Sequence, residues 1–203
     1  MIGILSYGIG NVGSIQNMLK KAGAASVIVE TADALSACDK LILPGVGAFD
    51  TGMELLNRSG MRQALDTAVG AGKPLLGICL GMQMLGTRSE EGKDSGLGYI
   101  PFQNIRFQLD PAEYKVPHMG WNYVAVTDAG DPLVQGFAGK QRYYFVHSYH
   151  ALCDDAHDAL MLCDYGYSFA AAVRRGNVWG TQFHPEKSHR FGMALLKNFA
   201  EVC

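Results

Sequence analysis

Short apolar runs alternate with helically spaced apolar residues along the first half of the chain. The apolar runs predict four strands, over 2–6, 26–30, 40–43 and 74–78. Apolar residues three or four positions apart predict four helices, over 11–22, 51–57, 61–69 and 80–85. Continuous apolar strands that alternate with helices are typical of a parallel sheet covered on both faces. We therefore expect an α/β fold with a mostly parallel central sheet.

The second half of the chain is predicted to be mostly strands. Turn residues separate six candidate strands, over 105–109, 123–126, 143–146, 159–163, 168–173 and 178–182. A final helix is predicted over 189–202. No repeat, low-complexity tract or linker divides the chain. We therefore expect residues 1–203 to form a single domain in which an antiparallel section is added to the parallel sheet.

The composition excludes several classes of protein. Hydrophobic residues make up 48% of the 203 positions and charged residues 18%, which is too apolar for a disordered chain. Lysine and arginine number 17 against 19 aspartate and glutamate, and this formal charge of −2 argues against a nucleic-acid partner. There is no apolar run of 18 uncharged residues and no basic, apolar leader. We therefore expect no membrane partner and a cytoplasmic location.

The cysteines point to a reducing compartment and to one candidate for chemistry. They are odd in number, scattered and without a CxxC pair, which argues against a disulfide framework or a structural zinc site. The five are Cys38, Cys79, Cys153, Cys163 and Cys203. No P-loop or cluster of metal ligands is evident either, so we expect no cofactor.

One cysteine lies in a pattern that favours a nucleophile. Cys79 is bracketed by Gly77 and Gly81 between a predicted strand and a predicted helix, the G-x-C-x-G form of a nucleophile elbow. Such a turn crowds the backbone, which explains the glycines, and presents the sulfur at a helix N-terminus. The alternative is an inert cysteine that packs at the start of a helix.

A base and its orienting carboxylate are predicted close to the end of the chain. His184 and Glu186 follow a predicted strand, and Pro185 between them biases His184 toward extended geometry. Residues two apart in an extended segment point to the same side, so the carboxylate could hold the imidazole tautomer. By itself His-Pro-Glu could equally be a surface loop; together with the cysteine elbow it predicts a Cys-His-Glu triad.

Two glycine-rich turns have competing interpretations. The segment 44–47, Pro-Gly-Val-Gly, could turn backbone N–H groups toward an oxyanion, or could be only a tight turn between strand and helix. The segment 8–13 is a literal G-x-G-x-x-G with Glu30 placed 20 residues further on, which alone would predict an NAD-dependent oxidoreductase. That alternative leaves the cysteine elbow and His-Pro-Glu unexplained.

Taken together, these segments resemble the class I, triad-type glutamine amidotransferases. Within that family the chain is most similar to the glutaminase subunits of imidazole glycerol phosphate synthases, over nearly its whole length. The segments that carry the resemblance are YGIGN at 7–11, LPGVGAF at 43–49, GICLGMQ at 77–83, SEE at 89–91, PHMGWN at 117–122, YFVHSY at 144–149 and QFHPEKS at 182–188. The resemblance implies a flavodoxin-like, three-layer α/β domain.

The resemblance also implies roles for individual residues. Cys79 would attack the side-chain amide of L-glutamine, His184 would carry the proton to the leaving ammonia, and Glu186 would orient His184. An oxyanion hole would be formed by backbone N–H groups of Val46, Gly47 and Leu80. The amino and carboxylate groups of glutamine would be held by Gln83, His147, Ser148 and Tyr149. A partner interface would include Asn11, Trp121, Asn122, Tyr144 and Lys187.

The resemblance further implies a partner. Ammonia would pass to a (β/α)8-barrel cyclase subunit in a heterodimer, which would make imidazole glycerol phosphate and an aminoimidazole carboxamide ribonucleotide for histidine synthesis. The sequence departs from that pattern at Phe102-Gln103 and over 189–192, His-Arg-Phe-Gly. These departures resemble paralogues that supply ammonia for amidation of a sugar in surface-polysaccharide synthesis, so the acceptor is left open at this point. A non-catalytic module and a cysteine peptidase are disfavoured by the complete triad and by the glutamine-site residues.

Overall fold

The computed structural model describes all residues, 1–203, and contains twelve strands and six helices. In chain order the strands are β1 (Ile2–Leu5), β2 (Ser26–Val29), β3 (Lys40–Gly45), β4 (Leu75–Cys79), β5 (Arg88–Ser89), β6 (Phe102–Arg106), β7 (His118–Val126), β8 (Gln141–His147), β9 (Tyr149–Cys153), β10 (Ala159–Tyr165), β11 (Tyr167–Arg175) and β12 (Val178–Thr181). The helices are α1 (Val12–Lys21), α2 (Ala32–Ser36), α3 (Phe49–Arg58), α4 (Arg62–Gly70), α5 (Leu80–Met84) and α6 (His189–Glu201). Short 3₁₀ turns occur at Pro132–Val134, Ala156–Asp158 and Pro185–Lys187.

The strands form one mixed sheet whose main path runs β2-β1-β3-β4-β12-β11-β10-β7-β8. The first five strands on this path are parallel to one another, and the remaining strands continue the path as antiparallel neighbours. Strand β9 pairs with β11 and β6, and β5 pairs with β6. Strand β4 therefore lies inside the parallel part, with β3 and β12 as its neighbours.

Apolar residues cover both faces of the parallel strands. Leu41 and Leu43 of β3 belong to one core cluster, and Ile42 between them belongs to the other. The same division separates Leu75 from Leu76 on β4. Alternate side chains of a strand point to opposite faces, so a strand that is apolar at every position needs a core on each side. The expected α/β architecture with a parallel sheet and an added antiparallel section is confirmed.

The second half differs from the prediction in detail. The strand expected over 105–109 lies three residues earlier, at Phe102–Arg106, because Phe102 and Asn104 are the residues that turn inward there. Strand β9 was not predicted. It follows β8 with only Ser148 between them, where the chain stops pairing with β7 and begins pairing with β6. No glycine or proline marks this change of partner, so the sequence gives no turn signal. The short helix α2 was also not predicted.

None of the six helices is long and apolar enough to cross a membrane.

Candidate active site

The turn from β4 into α5 holds Cys79 in a strained conformation. Its backbone has φ 56° and ψ −111°, a region that residues other than glycine rarely adopt. The flanking glycines are required by contact: a Cβ on Gly81 would lie 1.8 Å from the carbonyl oxygen of Leu43, and one on Gly77 would lie 2.7 Å from the carbonyl oxygen of Gly81. The predicted strand-to-helix elbow is therefore present.

His184 and Glu186 form a buried pair just beyond β12. His184 is extended, with φ −98° and ψ 97°, whereas Glu186 lies in the following 3₁₀ turn. Nδ1 of His184 is 2.8 Å from Oε1 of Glu186, and their side chains are only 2% and 1% exposed. The pairing was predicted, but the turn rather than a continuous extended segment brings the carboxylate back to the imidazole.

The environment of His184 favours its protonated form. Burial lowers the pKa of His184, but its contacts with Cys79 and Glu186 outweigh burial and raise the pKa to about 9. With Nδ1 committed to Glu186, the ring presents Nε2 on its other side. This Nε2 is buried and has no hydrogen-bond partner within the protein. His184 and Cys79 line the same pocket, so the free nitrogen is available to a group bound there.

That pocket is a cavity of about 350 Å³, which suits a small molecule. It brings together Cys79, His184 and every residue that the sequence assigned to the oxyanion hole or to glutamine. Those residues are Val46, Gly47, Leu80, Gln83, His147, Ser148 and Tyr149. Glu186 stands behind His184 and does not line the pocket. Three further lining residues were not assigned: Glu91, Pro117 and Val146.

The loop between β3 and α3 forms one rim of the pocket. Gly47 has φ 101°, and the N–H groups of Val46 and Gly47 have no acceptor in the protein. The preceding Gly45 packs directly under the elbow, since a Cβ there would lie 2.9 Å from the backbone nitrogen of Gly81. The loop is thus held beside the nucleophile at its base while its N–H groups stay free. That is the arrangement an oxyanion hole needs.

Glu91, from the SEE segment at 89–91, also lines the pocket, although the sequence assigned it no role. It is the only carboxylate that lines the pocket. Its Oε2 accepts a hydrogen bond from the backbone N–H of Phe49 (2.9 Å) at the start of α3. The N–H groups of Lys93 and Asp94 bond in turn to Asp50. These reciprocal bonds tie the 89–94 loop to α3, so the carboxylate is fixed at the mouth of the pocket.

A second polar group beneath the nucleophile was also missed. Gln182 is fully buried, and its Nε2 lies 3.9 Å from the sulfur of Cys79. Its Oε1 accepts from Nε2 of Gln83 (3.1 Å), which also donates to the carbonyl oxygen of Tyr149 (3.3 Å). Gln182 belongs to the QFHPEKS segment, but only the pairing of β4 with β12 shows that it lies below Cys79.

Three of the residues assigned to a partner interface share one face. Trp121 on β7 packs edge-on against Tyr144 on β8, with ring centroids 6.2 Å apart, and Lys187 Nζ lies over the Tyr144 ring. His189, one of the atypical residues, stacks on Trp121 with ring centroids 5.4 Å apart. Asn11 lies apart from them in the chain, immediately before α1, a helix that packs against the 185–187 turn.

Asn122 does not share that face. Its side chain points to the opposite side of β7, where Nδ2 donates to the carbonyl oxygen of Asp164 (2.9 Å) and to the ring of His118 (3.3 Å). The alternation of side chains along a strand explains why neighbours in the sequence face different surroundings.

The glycines of the 8–13 segment have a packing role that a dinucleotide fingerprint does not predict. Gly8 and Gly10 have φ of 104° and 103°, and a Cβ on Gly10 would lie 3.0 Å from the Pro44 side chain. A Cβ on Gly13 would meet nothing within 4 Å, whereas the third glycine of the fingerprint serves close packing of helix on strand. The turn therefore packs against Pro44 near the end of β3.

The other four cysteines are poor nucleophiles by their surroundings. Burial raises the pKa of Cys38, and it raises the pKa of Cys153, Cys163 and Cys203 to about 12. A thiol with such a pKa holds almost no thiolate at neutral pH. No group of three His, Cys, Asp or Glu side chains is arranged to hold a metal ion.

Comparison with known proteins identifies relatives over the full chain. Residues 4–203 match the family model of the class-I glutamine amidotransferases. The imidazole glycerol phosphate synthase subunit HisH 2 of Pseudomonas aeruginosa is 49% identical over 100% of both chains. The HisH 2 subunit of Methanococcus maripaludis is 48% identical over 98% of both, and the HisH subunit of Leptospira interrogans is 45% identical over 100% of both.

Solved structures share the fold at much lower identity. The structure of PurLQS from Thermotoga maritima has a TM-score of 0.76 and 20% identity, covering 98% of this chain and 96% of that one. A crystal structure described as glutamine amidotransferase has a TM-score of 0.72 and 21% identity, covering 96% of this chain and 98% of that one. At such identities the likeness supports the fold alone.

Proposed function

The chain belongs to the class-I glutamine amidotransferase family, and we propose that it is the subunit that hydrolyses L-glutamine to glutamate and ammonia for an imidazole glycerol phosphate synthase. One observation carries the proposal. Cys79, on a strained elbow, shares a pocket with the free Nε2 of His184, whose Nδ1 is held by Glu186 at 2.8 Å. We further propose residues 1–203 as one glutamine amidotransferase domain.

The proposed reaction has two chemical steps. The proton of Cys79 passes first to Nε2 of His184, whose raised pKa favours the protonated ring, and the sulfur then attacks the side-chain amide carbon of glutamine. His184 then gives this proton to the leaving nitrogen as the carbon–nitrogen bond breaks and ammonia departs. Water, activated by the same nitrogen, adds to the thioester carbon, and glutamate leaves as the carbon–sulfur bond breaks. Because the pKa of His184 is raised to about 9, the proton taken from the thiol is held readily between the two transfers.

Backbone groups would stabilise the oxyanion of each tetrahedral intermediate. The candidates are the N–H of Leu80 at the start of α5 and the unpaired N–H groups of Val46 and Gly47. Gly47 has a positive φ, so this loop can change its peptide orientation more easily than a loop of ordinary residues. We propose that binding of the partner subunit brings the loop into its active orientation.

The amino-acid end of glutamine would bind on the opposite side of the pocket. Gln83 and the backbone of His147, Ser148 and Tyr149 line that side, as the resemblance implies. We add Glu91 to this set. An α-ammonium group needs a negative partner, and Glu91 supplies the only carboxylate of the pocket.

The acceptor of ammonia is proposed to be bound by a cyclase partner with a (β/α)8 barrel. Relatives from three organisms, 45–49% identical to this chain, bear the name of an imidazole glycerol phosphate synthase subunit, which supports the histidine pathway over sugar amidation and over NAD chemistry. The atypical Phe102 is fully buried against Gly86 and does not line the pocket. This departure from the family pattern is therefore a difference of core packing.

The face around Trp121 is proposed as the partner surface. Trp121, Tyr123 and Met119 of β7 are 37%, 52% and 61% exposed, which is unusual for large apolar side chains on adjacent outward positions of one strand. Strand β8 beside them is the end of the main sheet path.

Glutamate release by the chain with and without its cyclase subunit tests the proposal. We expect slow hydrolysis by the chain alone, faster hydrolysis with the partner, and none by Cys79→Ala. Cys203→Ala is the matched control and should behave as wild type, because Cys203 does not line the pocket and its pKa is raised. A glutamine analogue with an electrophilic ketone should label Cys79, as peptide mass mapping can show. Full glutaminase activity in Cys79→Ala would overturn the mechanism.

A further inference from the structure

A line of hydrogen bonds runs behind the pocket, through residues that the reaction described above does not use. Nδ2 of Asn122 donates to Nε2 of His118 (3.3 Å), and Nδ1 of His118 donates to Nε2 of His147 (3.0 Å). Nδ1 of His147 then donates to the carbonyl oxygen of Tyr149 (2.8 Å). Asn122 and His118 do not line the pocket, whereas His147 and Tyr149 do.

The direction of these bonds is fixed by the carbonyl at their end. A carbonyl oxygen can only accept, so Nδ1 of His147 carries the hydrogen and its Nε2 must accept from His118. The Nε2 of His118 must then accept from the Asn122 amide. Burial lowers the pKa of His118 to about 4 and that of His147 to about 3, so both rings are neutral near pH 7, as this arrangement requires.

The Tyr149 carbonyl is also the point where a second line of hydrogen bonds begins. It accepts from Nε2 of Gln83, which donates as well to Gln182, and Gln182 lies 3.9 Å from the sulfur of Cys79. A shift of this carbonyl would therefore move both the pocket residues that would hold glutamine and, through Gln83, the Gln182 amide beside the sulfur of Cys79.

The two imidazoles have little freedom to turn away. The ring of His118 is stacked between Phe145 and Tyr165, at centroid distances of 4.8 and 4.1 Å. His147 packs against Phe107 at 5.2 Å and against Phe169 at 5.3 Å. Both histidines are 5% exposed or less.

We propose that His118 and Asn122 are positioning residues of the glutaminase site, which act through the tautomer of His147 on the Tyr149 carbonyl. If His118 cannot donate, Nε2 of His147 is left buried without a donor, and only the Tyr149 carbonyl still favours the hydrogen on Nδ1. In molecules whose hydrogen moves to Nε2, the Nδ1 lone pair faces the carbonyl oxygen of Tyr149, and the repulsion displaces that peptide from the pocket wall. This inference rests on the proposed function, since its consequence is measured on glutamine.

Two substitutions at one position separate hydrogen bonding from packing. His118→Phe keeps an aromatic ring between Phe145 and Tyr165 but removes the donor. His118→Asn removes the ring but places an amide nitrogen where Nδ1 stood. We expect His118→Phe to lower kcat/KM for glutamine about tenfold, the effect of about 1.4 kcal/mol. His118→Asn should be the less stable variant but the more active one. His157→Asn, at an exposed histidine, controls for the substitution itself.

The opposite order of activities would overturn the inference, because a purely structural role predicts that the variant with the aromatic ring stays active. A measurement on the unmodified protein serves if a variant does not fold. Long-range ¹H–¹⁵N NMR should find the hydrogen on Nδ1 in both His118 and His147, and a hydrogen on Nε2 of His118 in the neutral ring would refute the arrangement. If the wild-type complex hydrolyses no glutamine, the proposed function fails, whereas the NMR result still decides the hydrogen-bond line.

Discussion

The buried pair of His184 and Glu186 gives the most informative single substitution, Glu186→Gln. The change preserves shape and removes one charge from a side chain that is 1% exposed. Glu186 uses Oε1 to hold His184, while its Oε2 has no hydrogen-bond partner in the protein. A glutamine at this position must therefore choose which of its two ends faces the imidazole.

The orientation of the new amide is decided at the position of Oε2, where the protein offers no hydrogen-bond partner. If the amide oxygen accepts from His184, the NH₂ group is buried without an acceptor. If the NH₂ group donates to Nδ1 instead, only an amide oxygen is left unpaired, which is less costly than an unpaired donor. The second orientation should prevail. It forces the hydrogen of the neutral ring onto Nε2, where His184 can no longer accept the proton of Cys79.

The expected loss of activity follows from these two effects. A charge-assisted hydrogen bond contributes about 1.5–3 kcal/mol, which is about 10- to 150-fold in rate. The wrong tautomer adds to this, since the corresponding substitution in serine protease triads lowers kcat about 10⁴-fold. We expect kcat for glutamine to fall about 10²- to 10⁴-fold in the complex with the cyclase, measured as glutamate release. KM should change little, because Glu186 does not line the pocket.

The exposed Glu201→Gln, which makes the same chemical change at the end of α6, is the matched control and should keep wild-type kcat. An NMR titration should also find a lower pKa for His184 in Glu186→Gln than in the wild type, because one of the contacts that raise it is gone. A Glu186→Gln enzyme with more than a third of wild-type kcat would refute this account of the triad.

Three further predictions follow from individual contacts. Gly81→Ala should abolish activity and destabilise the fold by several kcal/mol, because its Cβ would lie 1.8 Å from the Leu43 carbonyl oxygen. Gly13→Ala on α1 is the control: its Cβ meets nothing within 4 Å, so chemical denaturation should show the fold stabilised by about 0.5–1 kcal/mol. Glu91→Gln should raise KM for glutamine about tenfold or more, with a smaller change in kcat. Glu90→Gln is the control and should leave KM unchanged, because the Glu90 carboxylate accepts from the backbone N–H of Arg106 and does not line the pocket. Equal KM values for the two variants would show that Glu91 does not bind glutamine. The free energy of unfolding should be greatest near pH 6.5. The free energy of unfolding should fall as the pH rises toward about 9, because folded His184 then loses the proton that its raised pKa retains. It should also fall as the pH drops below 6.5, because unfolded His118 and His147 take up protons there, whereas the folded rings, with pKa values of about 4 and 3, do not. A profile that is flat between pH 6.5 and 9 would contradict the raised pKa of His184.

The nucleophile, base and carboxylate of the site could largely be predicted from the sequence, because their arrangement depends on local geometry. The glycine bracket around Cys79 is dictated by a turn of five residues, and the spacing of His184 and Glu186 lets one side chain reach the other across a single proline. Strands β1, β3 and β4 were equally predictable, because a strand buried on both faces is apolar throughout and no distant contact is needed to recognise it.

Contacts between distant segments could not be predicted in this way. Gln182 lies 103 positions after Cys79, yet it is the side chain below the sulfur, because β12 joins the sheet beside β4. Glu91 reaches the pocket only because the 89–94 loop is bonded to the start of α3.

The inward turn of Asn122 is the clearest case of the difference. The sequence placed Asn122 with its neighbour Trp121 at a partner surface. The pleat of β7 instead sends the two side chains to opposite faces, where the Asn122 amide lies within hydrogen-bond distance of His118. The sequence by itself thus determined the parallel strands and the nucleophile, base and carboxylate, since covalent spacing and apolar periodicity act over a few residues. The tertiary structure alone decided what surrounds them, because those neighbours meet only when the strands have been assembled into one sheet.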